Sequence, residues 1–186
     1  MEKILRFCDI LIASTGLLIG LPLFLLIALI GYWDTGSPFF LQERVGYRGS
    51  PFVLIKFRTM KRDTAWVASH LADASSITRF GRFLRRTKLD ELPQLWNVLK
   101  GEMSLVGPRP CLYTQSELIQ ERFERGVYNA RPGITGLAQL NDIDMSTPLV
   151  LAEMDQKMLA TMALPAYFRY LFLTVLGRGS GDRVKL

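Results

Sequence analysis

A run of 22 residues without a charge, "ILIASTGLLIGLPLFLLIALIG" from Ile10 to Gly31, limits what this chain can fold into more than any other feature. At ~1.5 Å of rise per residue, a helix of that length covers the ~30 Å of hydrocarbon in a bilayer. The run makes a poor cleavable signal, because its apolar core is too long and "LIALIGYWDTG" offers no small-x-small site. Tyr32 and Trp33 follow, where an aromatic anchor at a membrane interface belongs. Pro22 falls mid-run, where it removes one backbone N–H and presses on the carbonyl of Leu18, which predicts a kink. Both flanks are basic, with Lys3 and Arg6 ahead and Arg44, Arg48, Lys56, Arg58, Lys61 and Arg62 behind. Positive residues mark the cytoplasmic side, so a helix that kinks at Pro22 and returns to the same face satisfies both flanks. A plain single-pass helix that tolerates its proline is equally compatible with these residues.

The remainder reads as one domain. At 186 residues the chain has room for a single core, giving a membrane segment over residues 1–33 and a cytoplasmic domain over 34–186. The hydrophobic excess, 49% of residues, is concentrated in the run rather than spread. A net charge of +6 points to an anionic partner, without choosing among phosphate, nucleic acid and an acidic membrane surface. Cys8 and Cys111 have no companions at metal-ligand spacing, and Cys8 sits beside the apolar run, so a reducing compartment fits better than a disulfide framework. The single histidine, His70, argues against a zinc site or a histidine-based triad.

The local patterns predict an α/β domain, mostly helical with a small β-hairpin. "FFLQERVG" and "PFVLIKFRTM" are β-rich runs separated by "YRGS", a hairpin signature. A polar, less regular stretch covers Lys61 to Ser76. In "ITRFGRFLRRT", Ile77, Phe80, Phe83 and Leu84 share one helical face and Arg79, Arg82, Arg85 and Arg86 lie mostly opposite. Beside a membrane anchor, that basic amphipathic helix suits an anionic interface. "LAQLNDIDMSTP" reads as a loop and "LVLAEMDQKMLATM" as a helix. "LPAYFRYLFLTVLG" has Tyr167, Tyr170, Leu171 and Thr174 at helical spacing, ends at Gly177, and is too short to span a membrane.

The stretch "RRTKLDELPQLWNVLKGEMSLVGPRP", Arg85 to Pro110, carries the densest chemistry. Asp90 reads first as a helix N-cap, with Pro93 tolerated in the first turn and Gly101 as the C′ residue. Capping does not account for its company. A helix N-terminus with Arg85, Arg86 and Lys88 beside it favours phosphate, and a carboxylate held there stays ionised. Arg109, between two prolines in "VGPRP", presents a guanidinium suited to bidentate phosphate contact. Adjacent carboxylates diverge by about 100° on a helix, so Asp90 and Glu91 are not the opposed pair of a glycosidase. They suit a shared Mg²⁺ with a diphosphate, or a division into nucleophile and helper. Capping and catalysis both remain open from the residues alone.

Three ordered stretches, "KFRTM" (Lys56 to Met60), "RRTKLDELPQLWNVLKGEMSLVGPRP" and "RPGITGLAQLN" (Arg131 to Asn141), follow one proline-broken apolar segment. Together they resemble the bacterial sugar transferases of the monotopic phosphoglycosyl transferase superfamily, across nearly the whole chain. The length is similar to that of the minimal members, the small enzymes that begin bacterial N-glycan assembly. The resemblance implies transfer of a sugar-1-phosphate from a UDP-sugar to undecaprenyl phosphate, release of UMP, and a requirement for Mg²⁺. It implies that Asp90 attacks the β-phosphate to form a covalent phosphosugar intermediate, and that Glu91 is its partner in metal binding or acceptor handling. By the same mapping Arg109 holds phosphate, with Arg85 and Lys56 as further phosphate candidates. Arg131 and Gln139 become nucleotide-side candidates, against a plain Pro/Gly-turn reading of "ARPGITG". Asp155 is implied as a helper carboxylate, against the simpler reading of an exposed helical charge. The resemblance also implies a re-entrant membrane helix broken near Pro22, with interfacial helices, membrane phospholipids as neighbours, and a place on the cytoplasmic face of the bacterial inner membrane. Many small members have Ser-Pro at the break, where this chain has Leu21-Pro22.

The competing reading is a membrane-attached basic protein that binds anionic lipid or nucleic acid without catalysis. It accounts for the charge and leaves the Asp-Glu, "GPRP" and "RPGITG" constellation idle; under the enzyme reading no nucleic-acid partner is expected. An inactive relative acting as a scaffold is disfavoured by the intact Asp-Glu pair. No motif identifies the sugar.

Overall fold

The computed structural model describes residues 1–64 and 73–179. His70 and the middle of the polar stretch expected over Lys61–Ser76 lie outside the described residues. The apolar run forms the core of helix α1 (Glu2–Thr35), which continues through Pro22 without interruption. Continuity of the helix leaves room for the expected kink: proline costs the ladder one donor and can bend the axis while the apolar turns on either side carry the helix across. Gly36 ends it in the left-handed region, φ 72°, its N–H returning to the Tyr32 carbonyl.

At ~1.5 Å per residue, α1 is ~50 Å long, more than a bilayer core requires. One of its faces docks on the domain near both ends, with Leu17, Gly20 and Phe24 half-buried between. Near the start, Arg6 donates to the carbonyls of Leu99 and Met103 (3.2 and 3.3 Å) and the Asp9 carboxylate is buried. Ala13, Ile27 and Gly31 continue the buried stripe at helical spacing. Near the end, Asp34 accepts from the Thr78 hydroxyl at 2.6 Å. The opposite face is bare hydrocarbon, with Leu18 and Ile19 each 75% exposed.

The expected hairpin forms: β1 (Phe39–Val45) pairs antiparallel with β2 (Pro51–Phe57), with Phe40 opposite Lys56 and Leu41 opposite Ile55. Its inward face mixes core residues, Phe52 and Leu54, with buried polar ones. Gln42, Arg44 and Lys56 are buried, while Leu41 and Val53 on the other face are exposed. Strand alternation requires such a split, because successive side chains leave on opposite sides. Exposed apolar residues beside an apolar helix mark a surface that can meet lipid, and the polar side chains buried on the inward face are the informative exception among its core residues.

Helix α2 (Arg79–Thr87) follows Thr78, whose hydroxyl accepts from the Gly81 N–H at 2.8 Å as an N-cap. As expected, Leu84 faces the core and Phe80 packs beside it, while Arg79, Arg82 and Arg86 are exposed. Helix α3 (Gln94–Lys100) ends at Gly101, φ 86°, as the sequence predicts. β3 (Ser104–Val106) then pairs in parallel with β4 (Gly133–Thr135), with α4 (Ser116–Glu124) in the crossover. The stretch expected to be a loop contains a one-turn helix, α5 (Leu137–Leu140), before α6 (Pro148–Ala160) and α7 (Leu164–Val175). The last two match the expected helices, and α7 buries Tyr167 and Tyr170.

Among the described residues three hydrophobic clusters fill the interior, and α1 contributes to two of them through Ala13 and Ile27. One polar contact sits among them: Asp9 accepts from the Tyr167 hydroxyl (2.7 Å), the Leu105 N–H (2.9 Å) and the Ser104 hydroxyl (3.1 Å). A buried carboxylate with three donors fixes the register of α1 against β3 and α7, since each donor stranded without it would cost about 1–3 kcal/mol. Burial, and next the hydrogen bond to Asp9, push the Tyr167 hydroxyl above the ordinary phenol range. A folded-state pKa above the unfolded value of about 10 means this contribution is complete below pH ~10 and is lost as pH rises beyond it. We expect Tyr167→Phe to lower stability by about 1.5–3 kcal/mol at neutral pH. We also expect it to flatten the decline of melting temperature between roughly pH 10 and 11.5; parallel pH profiles for the two proteins would contradict the assignment.

Candidate active site

The carboxylate pair lies in a single turn of 3₁₀ helix, Leu89–Glu91, between α2 and α3. The turn is entered through Lys88, which caps α2 in the left-handed region at φ 58° and sends its N–H back to Leu84 and Arg85. The structure corrects the capping expectation. Pro93, not Asp90, occupies the N-cap position of α3, whose first helical residue is Gln94, because proline with φ −62° begins a helix without needing a donor. The Asp90 carboxylate is thus not committed to starting α3, and the 3₁₀ turn buries both acids, Asp90 at 3% and Glu91 at 7% exposure.

Arg109, expected to hold phosphate, is found on the acid pair: its Nη2 donates to Glu91 Oε1 at 2.6 Å, a short charge-assisted hydrogen bond. Lys56 is buried on β2, the strand packed against the carboxylate turn, with its ammonium 5.5 Å from the Phe40 ring centroid. Arg85 is held by the Thr59 hydroxyl, which accepts from its Nε at 2.8 Å. That contact exists because α2 lies directly on the end of the hairpin; a Cβ at Gly81 would meet the Thr59 carbonyl oxygen at 2.1 Å. Asp90, Glu91, Arg109, Arg85 and Lys56 therefore belong to one region formed by α2, β2 and the loop after β3.

The other three candidates lie elsewhere in the fold. Arg131 donates to the Gly101 carbonyl at 2.9 Å and pairs with Glu2 at 3.2 Å, so it sits at the C-terminal end of α3 while the carboxylates precede its N-terminal end. Gln139 is buried and braces its own strand turn, donating to the Ile134 carbonyl at 2.9 Å. Asp155 is not the exposed helical charge of the simpler reading. It is 1% exposed, and its Oδ2 accepts from Arg122 Nε (2.9 Å) and Nη2 (2.6 Å), so α6 turns it inward to pair with α4. Burial raises the Asp155 carboxyl against the pull of Arg122. Sequence reasoning also missed Gln42, Arg44 and Arg122. For the first two, the available signal was polar residues at a spacing of two in β1, in phase with Lys56 on β2.

Beyond the pair lies an apolar groove of about 540 Å³, walled by Leu17, Leu21 and Phe24 of α1, the hairpin's Leu41 and Ile55, and Pro93 at the carboxylate end of α3. A buried acid pair with arginine beside it can hold and attack a phosphorus centre, and the groove approaches the turn that carries the pair through Pro93.

Residues 1–178 match the family described as bacterial sugar transferase. The chain belongs to that family. This bacterial sugar transferase is 38% identical to the exopolysaccharide production protein ExoY of Rhizobium meliloti (strain 1021), a match covering 94% of this chain and 87% of ExoY. It is 50% identical to the sugar transferase EpsL of Bacillus subtilis (strain 168), over 57% of this chain and 52% of EpsL. It is 41% identical to the UDP-glucose:undecaprenyl-phosphate glucose-1-phosphate transferase of Caulobacter vibrioides, over 78% of this chain and 56% of that protein. The sugar transferase thus spans about half the length of the last two relatives and most of ExoY.

Proposed function

We propose that this protein transfers a sugar-1-phosphate from a UDP-sugar to undecaprenyl phosphate and releases UMP, as the first membrane step in assembling a glycoconjugate. The observation that carries the reading is the buried Asp90–Glu91 turn with Glu91 held by Arg109. The name of the Caulobacter relative supports the donor and acceptor classes. An Asp90 oxygen attacks the β-phosphorus of the UDP-sugar. The bond from that phosphorus to the bridging oxygen breaks, UMP leaves with the oxygen and its electron pair, and a phosphosugar remains on Asp90. A phosphate oxygen of undecaprenyl phosphate then attacks the same phosphorus, and the Asp90 carboxylate leaves. Arg109, Lys56 and Arg85 neutralise and orient the phosphates through both steps.

The two carboxylates also fit Mg²⁺. They are hard oxygen donors, and among the described residues no group of three or more acidic, histidine or cysteine side chains forms a metal cage. Magnesium commonly takes one or two carboxylates and completes its shell with substrate phosphates and water. When bound by Asp90 and Glu91 it supplies charge neutralisation for the diphosphate.

The apolar groove beside Pro93 suits the isoprenoid tail of the acceptor, with α1 and the amphipathic α2 seated among phospholipids. In this reading α1 is re-entrant, with both ends on the cytoplasmic face of the bacterial inner membrane. Support comes from its contacts: start, middle and end are tied to one domain, so crossing the bilayer would drag that domain's buried charges into hydrocarbon. A basic lipid-binding protein without catalysis would leave the buried acid pair and its arginine unused.

Purified protein with undecaprenyl phosphate and a panel of UDP-sugars is expected to release UMP from at least one donor, and chelation of Mg²⁺ to stop it. Asp90→Asn is expected to lower turnover by about a thousandfold or more while membrane association persists. No UMP from any donor, or full activity in Asp90→Asn, would sink the reading. For topology, Lys3→Cys in a Cys8→Ser background is expected to resist an impermeant thiol reagent applied from the periplasmic side; labelling there would refute the re-entrant placement.

A further inference from the structure

The loop that presents Arg109 has an unusual bonding problem. Pro108 and Pro110 have no N–H, so this stretch can be held mainly through its carbonyls. Three successive carbonyls are each taken by a donor from a different element. The Pro108 oxygen accepts from the Gly133 N–H of β4 at 2.9 Å. The Arg109 oxygen accepts from Arg122 Nη1 of α4 at 2.8 Å. The Pro110 oxygen accepts from Arg44 Nη1 of β1 at 3.1 Å. Backbone bonds close the stretch on both sides, from the Gly107 N–H to the Thr135 carbonyl at 2.8 Å and from the Val45 N–H to the Cys111 carbonyl at 3.0 Å.

The two arginines in this bracket are themselves aimed by partners. Arg44 donates through Nη2 to Gln42 Oε1 at 2.6 Å. Arg122 spends Nε and Nη2 on Asp155 Oδ2, which directs Nη1 at the Arg109 carbonyl. Burying an arginine and an aspartate to 1% exposure each is costly, and a core of this size could fill the space with apolar side chains. What the pair delivers is a rigid fork with three directed donors, which a lysine cannot reproduce.

We propose that Arg122, aimed by Asp155, and Arg44, aimed by Gln42, are positioning residues that fix the diproline loop so that the Arg109 guanidinium meets Glu91. The line of contact runs from α6 to α4, through the loop backbone, to the carboxylate turn. These residues touch no reacting atom; they act through Arg109. Their effect on turnover rests on the sugar-phosphate transfer proposed above, whereas their grip on the loop does not.

The test is a double-mutant cycle combined with hydrogen exchange. Arg122→Lys is expected to lower kcat by about tenfold or more with KM for the UDP-sugar changed by less than about twofold, because a misplaced Arg109 weakens the transition state. In an Arg109→Ala background the same Arg122→Lys change is expected to alter kcat by less than about twofold, since residues acting through one contact are non-additive. Arg44→Lys is expected to behave the same way. The amides of Val45, Gly107 and Gly133, whose hydrogen bonds close on the loop, are expected to exchange at least about tenfold faster in Arg122→Lys than in the unaltered protein. Asp155→Asn, which keeps an acceptor for Arg122, serves where Arg122→Lys fails to fold and is expected to give the same pattern at smaller amplitude. Equal losses of kcat with and without Arg109, or unchanged exchange at these amides, would overturn the proposal. Faster exchange in a protein that releases no UMP from any donor would leave the brace standing and remove the proposed reaction instead.

Discussion

Two glycines in contact decide where the site's arginine sits. Gly107 and Gly133 lie so close that a Cβ at 133 would fall 2.0 Å from the Gly107 nitrogen, and one at 107 would fall 2.5 Å from the Arg131 carbonyl oxygen. Only residues without side chains allow the short parallel pairing of β3 with β4 at this separation. "VGPRP" and "RPGITG", separate in the sequence, are thereby two sides of one junction. The arginine loop leaves that junction and meets the carboxylate turn on α3's opposite flank. The other contacts in the site, including Arg109 with Glu91, presuppose this approach.

A second constraint is the hairpin. Its inward face carries Gln42, Arg44 and Lys56, and its outward face carries Leu41, Val53 and Ile55. Pairing fixes both faces at once, so buried polar groups and an exposed apolar wall come from the same two strands. Helix α1 completes the apolar wall with Leu17, Leu21 and Phe24, while Asp9 and Arg6 near its start are bonded to the domain. The helix is a working part of the domain's interior as well as its membrane contact, which is why it enters two of the three hydrophobic clusters.

The features legible in the sequence are those written in local patterns. The hairpin, the amphipathic α2, the Gly101 stop and the two last helices follow from periodicity and turn residues a few positions apart. Asp90, Glu91 and Arg109 stood out as candidates by the density of charged residues within one stretch, and their roles came from the family resemblance. Most of the features missed join distant residues: Arg44 with Pro110 across 66 positions, Arg122 with Asp155 across 33, and Asp9 with Tyr167 across 158. No spacing rule encodes such pairs, so Asp155 looked like an ordinary helical charge until α4 was seen against α6. The capping expectation failed for a related reason. Aspartate is a strong N-cap by propensity, but the left-handed Lys88 and the following proline shift the start of α3 by three residues.

The central claim is that Asp90 carries the phosphosugar between donor and acceptor. It is tested most directly by intact-protein and peptide mass spectrometry after incubation with the accepted UDP-sugar and Mg²⁺ in the absence of undecaprenyl phosphate. A mass gain equal to one sugar phosphate is expected on the peptide containing Asp90, discharged when undecaprenyl phosphate is added. An adduct on a different residue, or UMP that forms only when both substrates are present and with no adduct at any time, would contradict it.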